Sequence, residues 1–295
     1  MKKLIVIAGP TASGKTALAI EIAQHFKTEI ISADSRQCYR ELHIGVAKPT
    51  EKELSLVKHH FINSHSIYDD VNAGVYERFA LQTLDEIFKQ HDVAICVGGT
   101  GMYLQALCKG LDTMPPIDKF ISEEMNQHYA EKGLLWLQEE VKLHDPMFYQ
   151  QGEMQNPARL LRALSFIKSS GMSILTFRNN KAKPRNFEIH QFAIAIDRKV
   201  LYEQINQRVD YMMQCGLATE VKELLPNKHL PSLQTVGYTE LFAHFTGENS
   251  LDFAVEKIKQ HTRNYAKRQV TWFKNQGSYL QISAADILSN ALKIR

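Results

Sequence analysis

Gly9-Pro10-Thr11-Ala12-Ser13-Gly14-Lys15-Thr16 fits G-x-x-x-x-G-K-[ST], the pattern of a loop that cradles phosphates. Before it, Leu4-Ile5-Val6-Ile7-Ala8 is a continuous apolar run rich in β-branched residues, which predicts a buried strand. After it, Leu18, Ile22 and Phe26 recur at helical spacing and predict a helix over 17–26. In such a strand–turn–helix the glycines permit a tight turn. The inward-facing backbone N–H groups and the helix N-terminus then form an anion cradle. Lys15 adds a point charge for terminal phosphate oxygens, and the Thr16 hydroxyl is placed to hold a magnesium ion bridging them. All eight residues are therefore candidate diphosphate ligands, with Thr16 the candidate metal ligand. The loop predicts a bound di- or triphosphate without saying whose.

Further along, Glu29-Ile30-Ile31-Ser32 predicts a short second strand, ending at the polar turn Ala33-Asp34-Ser35-Arg36-Gln37. The carboxyl ends of strands are where open α/β sheets bind ligands. His60-Phe61-Ile62 predicts a short edge strand, 73–90 a helix, and Val93-Ala94-Ile95-Cys96-Val97 another buried strand before Gly98-Gly99-Thr100-Gly101 and a new helix. Strands alternating with helices imply a parallel, doubly wound α/β sheet. At Met114-Pro115-Pro116 the rhythm changes to helical patterns alone, so 115–189 reads as a helical insertion between core segments 1–114 and 190–295. Strand character returns at Phe192-Ala193-Ile194-Ala195-Ile196. Helices are predicted over 198–213, 216–225, 237–246 and 251–274, and Tyr279-Leu280-Gln281-Ile282 closes the sheet.

The 295 residues are 44% hydrophobic and 23% charged, with a net charge of +3, ordinary for a globular chain. Cys38, Cys96, Cys108 and Cys215 are too scattered for a zinc site or a disulfide frame and are expected as free thiols. With no signal peptide and no run of membrane-spanning length, a cytoplasmic protein is expected. From Met154 to Phe187 there are seven basic residues, Arg159, Arg162, Lys168, Arg178, Lys181, Lys183 and Arg185, and no acid. Arg263, Lys267, Arg268 and Lys274 share a predicted helix with Tyr265, Trp272 and Phe273. Cations neutralise backbone phosphates and aromatics stack on bases, so both groups point to nucleic acid.

Asp34, at the mouth of the sheet, is a candidate general base or metal ligand; the bland alternative is an Asx turn. Thr100 is a candidate ligand contact or a helix N-cap. Arg208, on its own residues, reads as a surface arginine. The strand 93–97 ends in Gly98-Gly99-Thr100 where a nucleoside triphosphatase usually carries a magnesium-binding Asp, which weakens an ATPase reading. His59-His60 reads as a strand edge rather than a metal site.

Taken in order, several motifs resemble those of the bacterial tRNA dimethylallyltransferase (tRNA isopentenyltransferase) family. They are Gly9–Thr16, Asp34-Ser-Arg-Gln-Cys-Tyr39, Ala47-Lys-Pro-Thr50, Gly98-Gly-Thr-Gly-Met-Tyr103, Asn156-Pro-Ala-Arg159, Arg162-Ala-Leu164, Arg208-Val, Gly216-Leu, Val236-Gly-Tyr238, Tyr265-Ala-Lys-Arg-Gln269 and Thr271-Trp-Phe273. The resemblance implies a P-loop NTPase-like sheet with a tRNA-binding helical insertion. It also implies transfer of a dimethylallyl group from dimethylallyl diphosphate to N6 of the adenosine 3′-adjacent to the anticodon, with the loop holding the leaving diphosphate. By the same resemblance Asp34 is the general base, Thr100 contacts the oxygen joining carbon to diphosphate, and Lys15 and Arg208 carry the diphosphate charge with magnesium at Thr16. Asp34, Ser35, Arg36, Gln37 and Thr100, with Gln155, Asn156, Pro157, Ala158 and Arg159, are implied tRNA contacts of an enzyme expected to be a monomer. Thr239 stands where the family usually has Lys, so no tRNA contact is carried there. The competing readings are a P-loop small-molecule kinase, an NTP-driven nucleic-acid-binding protein, and a prenyltransferase of free adenine nucleotides.

Overall fold

The structure, a computed structural model, describes residues 1–179, 181–275 and 278–294. It divides into two compact units, one of Met1–Gly110 with Pro184–Arg295, the other Leu111–Lys183.

The first unit is built on a sheet of six parallel strands among the described residues: β1 (Lys3–Ala8), β2 (Ile30–Ser32), β3 (His59–His60), β4 (Val93–Gly98), β5 (Glu188–Ile194) and β6 (Leu280–Ile282), in the order β3-β2-β4-β1-β5-β6. Along the chain the helices are α1 (Lys15–Phe26), α2 (Glu51–Leu56), α3 (Ala73–Gln90), α4 (Gly101–Lys109), α5 (Lys119–His144), α6 (Pro146–Gln151), α7 (Pro157–Ser170), α8 (Arg198–Gln214), α9 (Leu217–Glu223), α10 (Tyr238–Phe245), α11 (Leu251–Asn275) and α12 (Ala284–Ala291). The apolar runs of β1 and β4 have no polar alternation because both faces are covered. Leu4, Val6, Ala94 and Cys96 point into a core with Leu84 of α3, Leu104 of α4 and Phe273 of α11. Ile5, Ile7, Ile95 and Val97 point the other way, against Ile22 of α1 and Ile287 of α12.

Two strands lie elsewhere than expected. The edge strand is His59–His60, not 60–62, because Phe61 turns left-handed (φ 63°) and drops its ring into the core. β5 starts at Glu188, four residues early. Its first half has one apolar residue, Ile189, and is incompletely buried, so no apolar run marks it, yet Glu188–Gln191 pair with Lys3–Val6 of β1. The unit boundaries move accordingly, to Leu111 and Lys183 in place of 115 and 189. Arg185, counted with the basic insertion, belongs to the sheet unit. Its guanidinium donates to the Ala106 and Leu107 carbonyls, near the end of α4, and pairs with Glu77 at 2.8 Å.

The second unit carries its own core, with Leu137 and Val141 of α5, Phe148 of α6 and Leu160 and Leu164 of α7. α5 is broken at Gly133 (φ 75°, ψ −170°), a conformation suited to glycine. Asn156 caps α7 by accepting from the Arg159 amide, with Pro157 in the first turn. No described helix is long and apolar enough to cross a membrane.

Candidate active site

The loop Gly9–Thr16 joins β1 to α1 as a tight turn. Gly14 (φ 78°) and Ala12 (φ 65°) are both left-handed, and the Lys15 ammonium donates back to the Pro10 carbonyl at 3.2 Å. The first amides of α1 have no acceptor inside the helix and remain available to an anion. The Ser13 hydroxyl is buried and has no partner among the described residues. Burial pulls the Lys15 ammonium down to about 8; the Asp34 carboxylate opposes that shift and the Arg208 guanidinium adds to it.

A second glycine loop packs beside the first. A side chain at Gly98 would strike the Ala33 carbonyl, at Gly99 the Gln269 amide, and at Gly101 the Trp272 indole. Gln269 of α11 ties the loops together: its Nε2 donates to the Gly99 carbonyl (2.8 Å) and its Oε1 accepts from the Thr11 amide (2.9 Å). The sequence singled out no role for Gln269. The available signal was a polar residue on the buried stripe Ala266, Gln269, Phe273 of an amphipathic helix.

Asp34 follows β2 and does form the expected Asx turn, its Oδ1 accepting from the amides of Arg36 (2.9 Å) and Gln37 (3.2 Å). Among the described residues no hydrogen bond reaches Oδ2, so turn formation leaves one carboxylate oxygen for other chemistry. Thr100 sits at the N-cap position of α4 but makes no side-chain cap. Its hydroxyl instead accepts from the Ser35 amide at 3.1 Å and interacts with Tyr265. Burial, and secondly the Asp34 carboxylate, push the Tyr265 phenol up to about 12, so it is a neutral hydrogen-bonding group at physiological pH.

Asp34, Ser35, Tyr265 and Lys15, though not Thr100, border two cavities in the sheet unit. The larger, about 600 Å³, is lined by Thr11, Asp34, Ser35, Arg36 and Arg208, by the α11 residues Tyr265 and Arg268, and by an apolar wall including Val209, Met212, Leu217 and Ile258. The smaller, about 20 Å³, is lined by Lys15, Thr16, Ser32, Asp34, Gln37 and His59; Asp34 borders both. Arg208 is thus a partly buried cavity residue rather than a surface arginine. Burial lowers its guanidinium, and its Nη1 lies 3.5 Å from the Thr11 hydroxyl. Arg36 is turned to the Pro231 and Ser232 carbonyls, and Gln37 ties the Asp34 turn to the Val46 and Ala47 carbonyls. Opposite, Glu220 of α9 receives the amides of His43, Ile44 and Gly45 and the Tyr238 hydroxyl (2.6 Å). Thr239 lines the cavity and bonds Glu240 at 3.0 Å.

The basic groups are less uniform than the sequence suggests. In the second unit Arg159 pairs with Glu153 (2.7 Å) and Lys168 with Glu140 (3.5 Å). With Arg185 bound to Glu77, that leaves Arg162, Arg178, Lys181 and Lys183 exposed and without an acidic partner among the described residues. Of the three aromatics expected to meet bases, Phe273 is core, Trp272 packs against that core, and only Tyr265 borders the cavity.

A parallel sheet with a phosphate loop at its carboxyl edge, a carboxylate and hydroxyl beside it and cations around it defines a P-loop α/β protein. The family described as IPP transferase matches residues 37–276, and the chain belongs to it. It is 46% identical to a tRNA dimethylallyltransferase of Flavobacterium johnsoniae, over 93% of this chain and 91% of that one. It is 44% identical to tRNA dimethylallyltransferase 1 of Bacteroides thetaiotaomicron, over 93% and 89%. Among solved structures it is similar to the full-length tRNA isopentenylpyrophosphate transferase of Bacillus halodurans, with TM-score 0.72, 30% identity, and 99% and 95% of the two chains covered.

Proposed function

We propose that the protein transfers a dimethylallyl group from dimethylallyl diphosphate to N6 of the adenosine 3′-adjacent to the anticodon of tRNA. The observation that carries this is the meeting, around Asp34, of the phosphate loop with a cavity that has cations and an apolar wall, in a chain of the IPP transferase family. The allylic carbon–oxygen bond breaks, its electron pair leaving with diphosphate. The N6–carbon bond forms, and the amine proton passes to Asp34.

Each side chain has a task that its chemistry supports. The loop amides, Lys15 and Arg208 stabilise charge where it develops on the leaving group. The hydroxyl of Thr100, which accepts from the Ser35 amide, would turn its one proton from the Ser35 hydroxyl at 3.4 Å to the bridging oxygen. The Asp34 carboxylate, held through one oxygen by its own turn, accepts the proton of a weakly nucleophilic amine through the other. Closing the cavity around the substrate keeps water from the allylic cation.

The residues also fit a magnesium ion. No group of three or more His, Cys, Asp or Glu among the described residues forms an all-protein cage. Magnesium bound to phosphate oxygens needs few protein ligands and keeps several waters. Thr16 would hold it, and the unpartnered Ser13 hydroxyl marks the same loop as built for oxygen ligands. Such an ion supplies positive charge against the diphosphate.

Arg162, Arg178, Lys181 and Lys183 would neutralise tRNA phosphates. Gln155–Arg159 and Asp34–Gln37 would be further contacts, with the target base flipped out of its stack. The test is to incubate tRNA with dimethylallyl diphosphate and map the product by mass spectrometry of nuclease fragments. One dimethylallyl unit is expected on the adenosine following the anticodon, and none when that adenosine is replaced by guanosine. Unmodified tRNA would overturn the proposal.

A further inference from the structure

His59 opens β3 at the edge of the sheet, and among the described residues its ring has a hydrogen bond on one side only. Nδ1 lies 2.8 Å from the Val57 carbonyl. A carbonyl only accepts, so Nδ1 carries the proton and Nε2 presents a lone pair. That Nε2 is buried and has no partner among the described residues. Buried polar atoms are almost always satisfied, so this one calls for a donor. His59 stands in register with Ile30, whose side chain belongs to the core under α1. The ring is therefore on the α1 face, the side of the sheet from which Thr16 projects. His59 and Thr16 line the same small cavity, together with Lys15, Ser32 and Asp34. Its volume, about 20 Å³, holds about one water.

We propose that His59 is a positioning residue whose Nε2 accepts a hydrogen bond from a water in the hydration shell of the cation held at Thr16. This rests on the reading that Thr16 and the diphosphate bind a divalent cation together. Magnesium parts reluctantly with its waters and favours oxygen ligands. An imidazole acceptor therefore suits one of those waters better than the ion itself. Partners of this outer kind orient the inner ligands, and losing one commonly weakens metal affinity 10–100-fold.

The experiment is calorimetric titration of inorganic diphosphate into the full chain, with and without magnesium chloride, for wild type, His59→Leu and His59→Gln. Wild-type binding is expected to tighten with magnesium. His59→Leu should lose about tenfold or more of that gain while its magnesium-free affinity stays unchanged. His59→Gln, whose amide oxygen can accept at a similar reach, should keep most of the gain. An unaltered magnesium effect in His59→Leu overturns the proposal. So does equal weakening with and without magnesium, which would mark a defect of the loop's fold, and so does failure of Gln to substitute. A gain with manganese but none with magnesium would make the imidazole a direct ligand and overturn the water-mediated contact. Wild type that binds no diphosphate at all would instead count against the reading of the phosphate loop.

Discussion

Lys15 and Arg208 come from two helices far apart in the chain, yet both stand at the two cavities that meet at Asp34. Arg159, Arg162, Lys168 and Arg178 lie within one short stretch, yet two of the four are paired with acids that the stretch does not contain. Density of charge along a chain and strength of field in space are different quantities. The first group is partly desolvated, where a charge acts strongly on whatever anion enters. The second is exposed, where each charge is screened and acts by number. The first group therefore suits chemistry on one diphosphate, and the second suits diffuse attraction to a phosphate backbone.

The largest expected effect lies at the carboxylate between the two cavities. Asp34→Asn keeps the Oδ1 acceptor of the turn but cannot take a proton at neutral pH. Single-turnover transfer with saturating tRNA should fall by about 10²–10⁴-fold, with little change in the binding of either substrate. Near-normal turnover would reduce Asp34 to its turn, since Asn and Asp serve equally as such acceptors. Rescue by added magnesium would make it a metal ligand instead.

A smaller effect separates the two kinds of insertion cation. Replacing both Arg162 and Arg178 with Gln should flatten the salt dependence of tRNA binding, lowering the log–log slope by about 1.5. The same change at Arg159 and Lys168, already paired with Glu153 and Glu140, should lower it by much less. Equal slopes for the two double variants would show that the ion pairs do not matter to tRNA binding.

The mildest effect is one of pH. Burial lowers Lys15 to about 8, so in the free protein its charge is present below that pH and is lost as pH rises through it. Diphosphate affinity should weaken above pH 8, by no more than about tenfold per unit for one proton. Lys15→Arg, always charged, should show only the ligand's own ionisation. Parallel profiles for the two proteins would remove Lys15 from the cradle.

What could be read beforehand followed the range of the interactions. The cradle, β1, β4 and α1 were legible because a strand–turn–helix declares itself within a few neighbours, in glycine spacing and apolar periodicity. The Asx turn of Asp34 was legible for the same reason. Gln269 was not, since its partners Thr11 and Gly99 are 258 and 170 positions away. Arg208 looked like a surface residue because nothing within its helix shows that the helix borders a cavity. Arg185 looked like an insertion cation because Glu77 is 108 positions distant. The one-residue shift at β3 came from Phe61, where tertiary packing of an aromatic ring prevailed over strand propensity.

The claim that the desolvated cations serve a departing diphosphate rather than ATP is tested most directly in one reaction holding tRNA, dimethylallyl diphosphate, ATP and magnesium. Inorganic diphosphate should be released in step with dimethylallylated adenosine, one for one, with ATP intact. Phosphate released from ATP on addition of tRNA, with the adenosine unmodified, would contradict it.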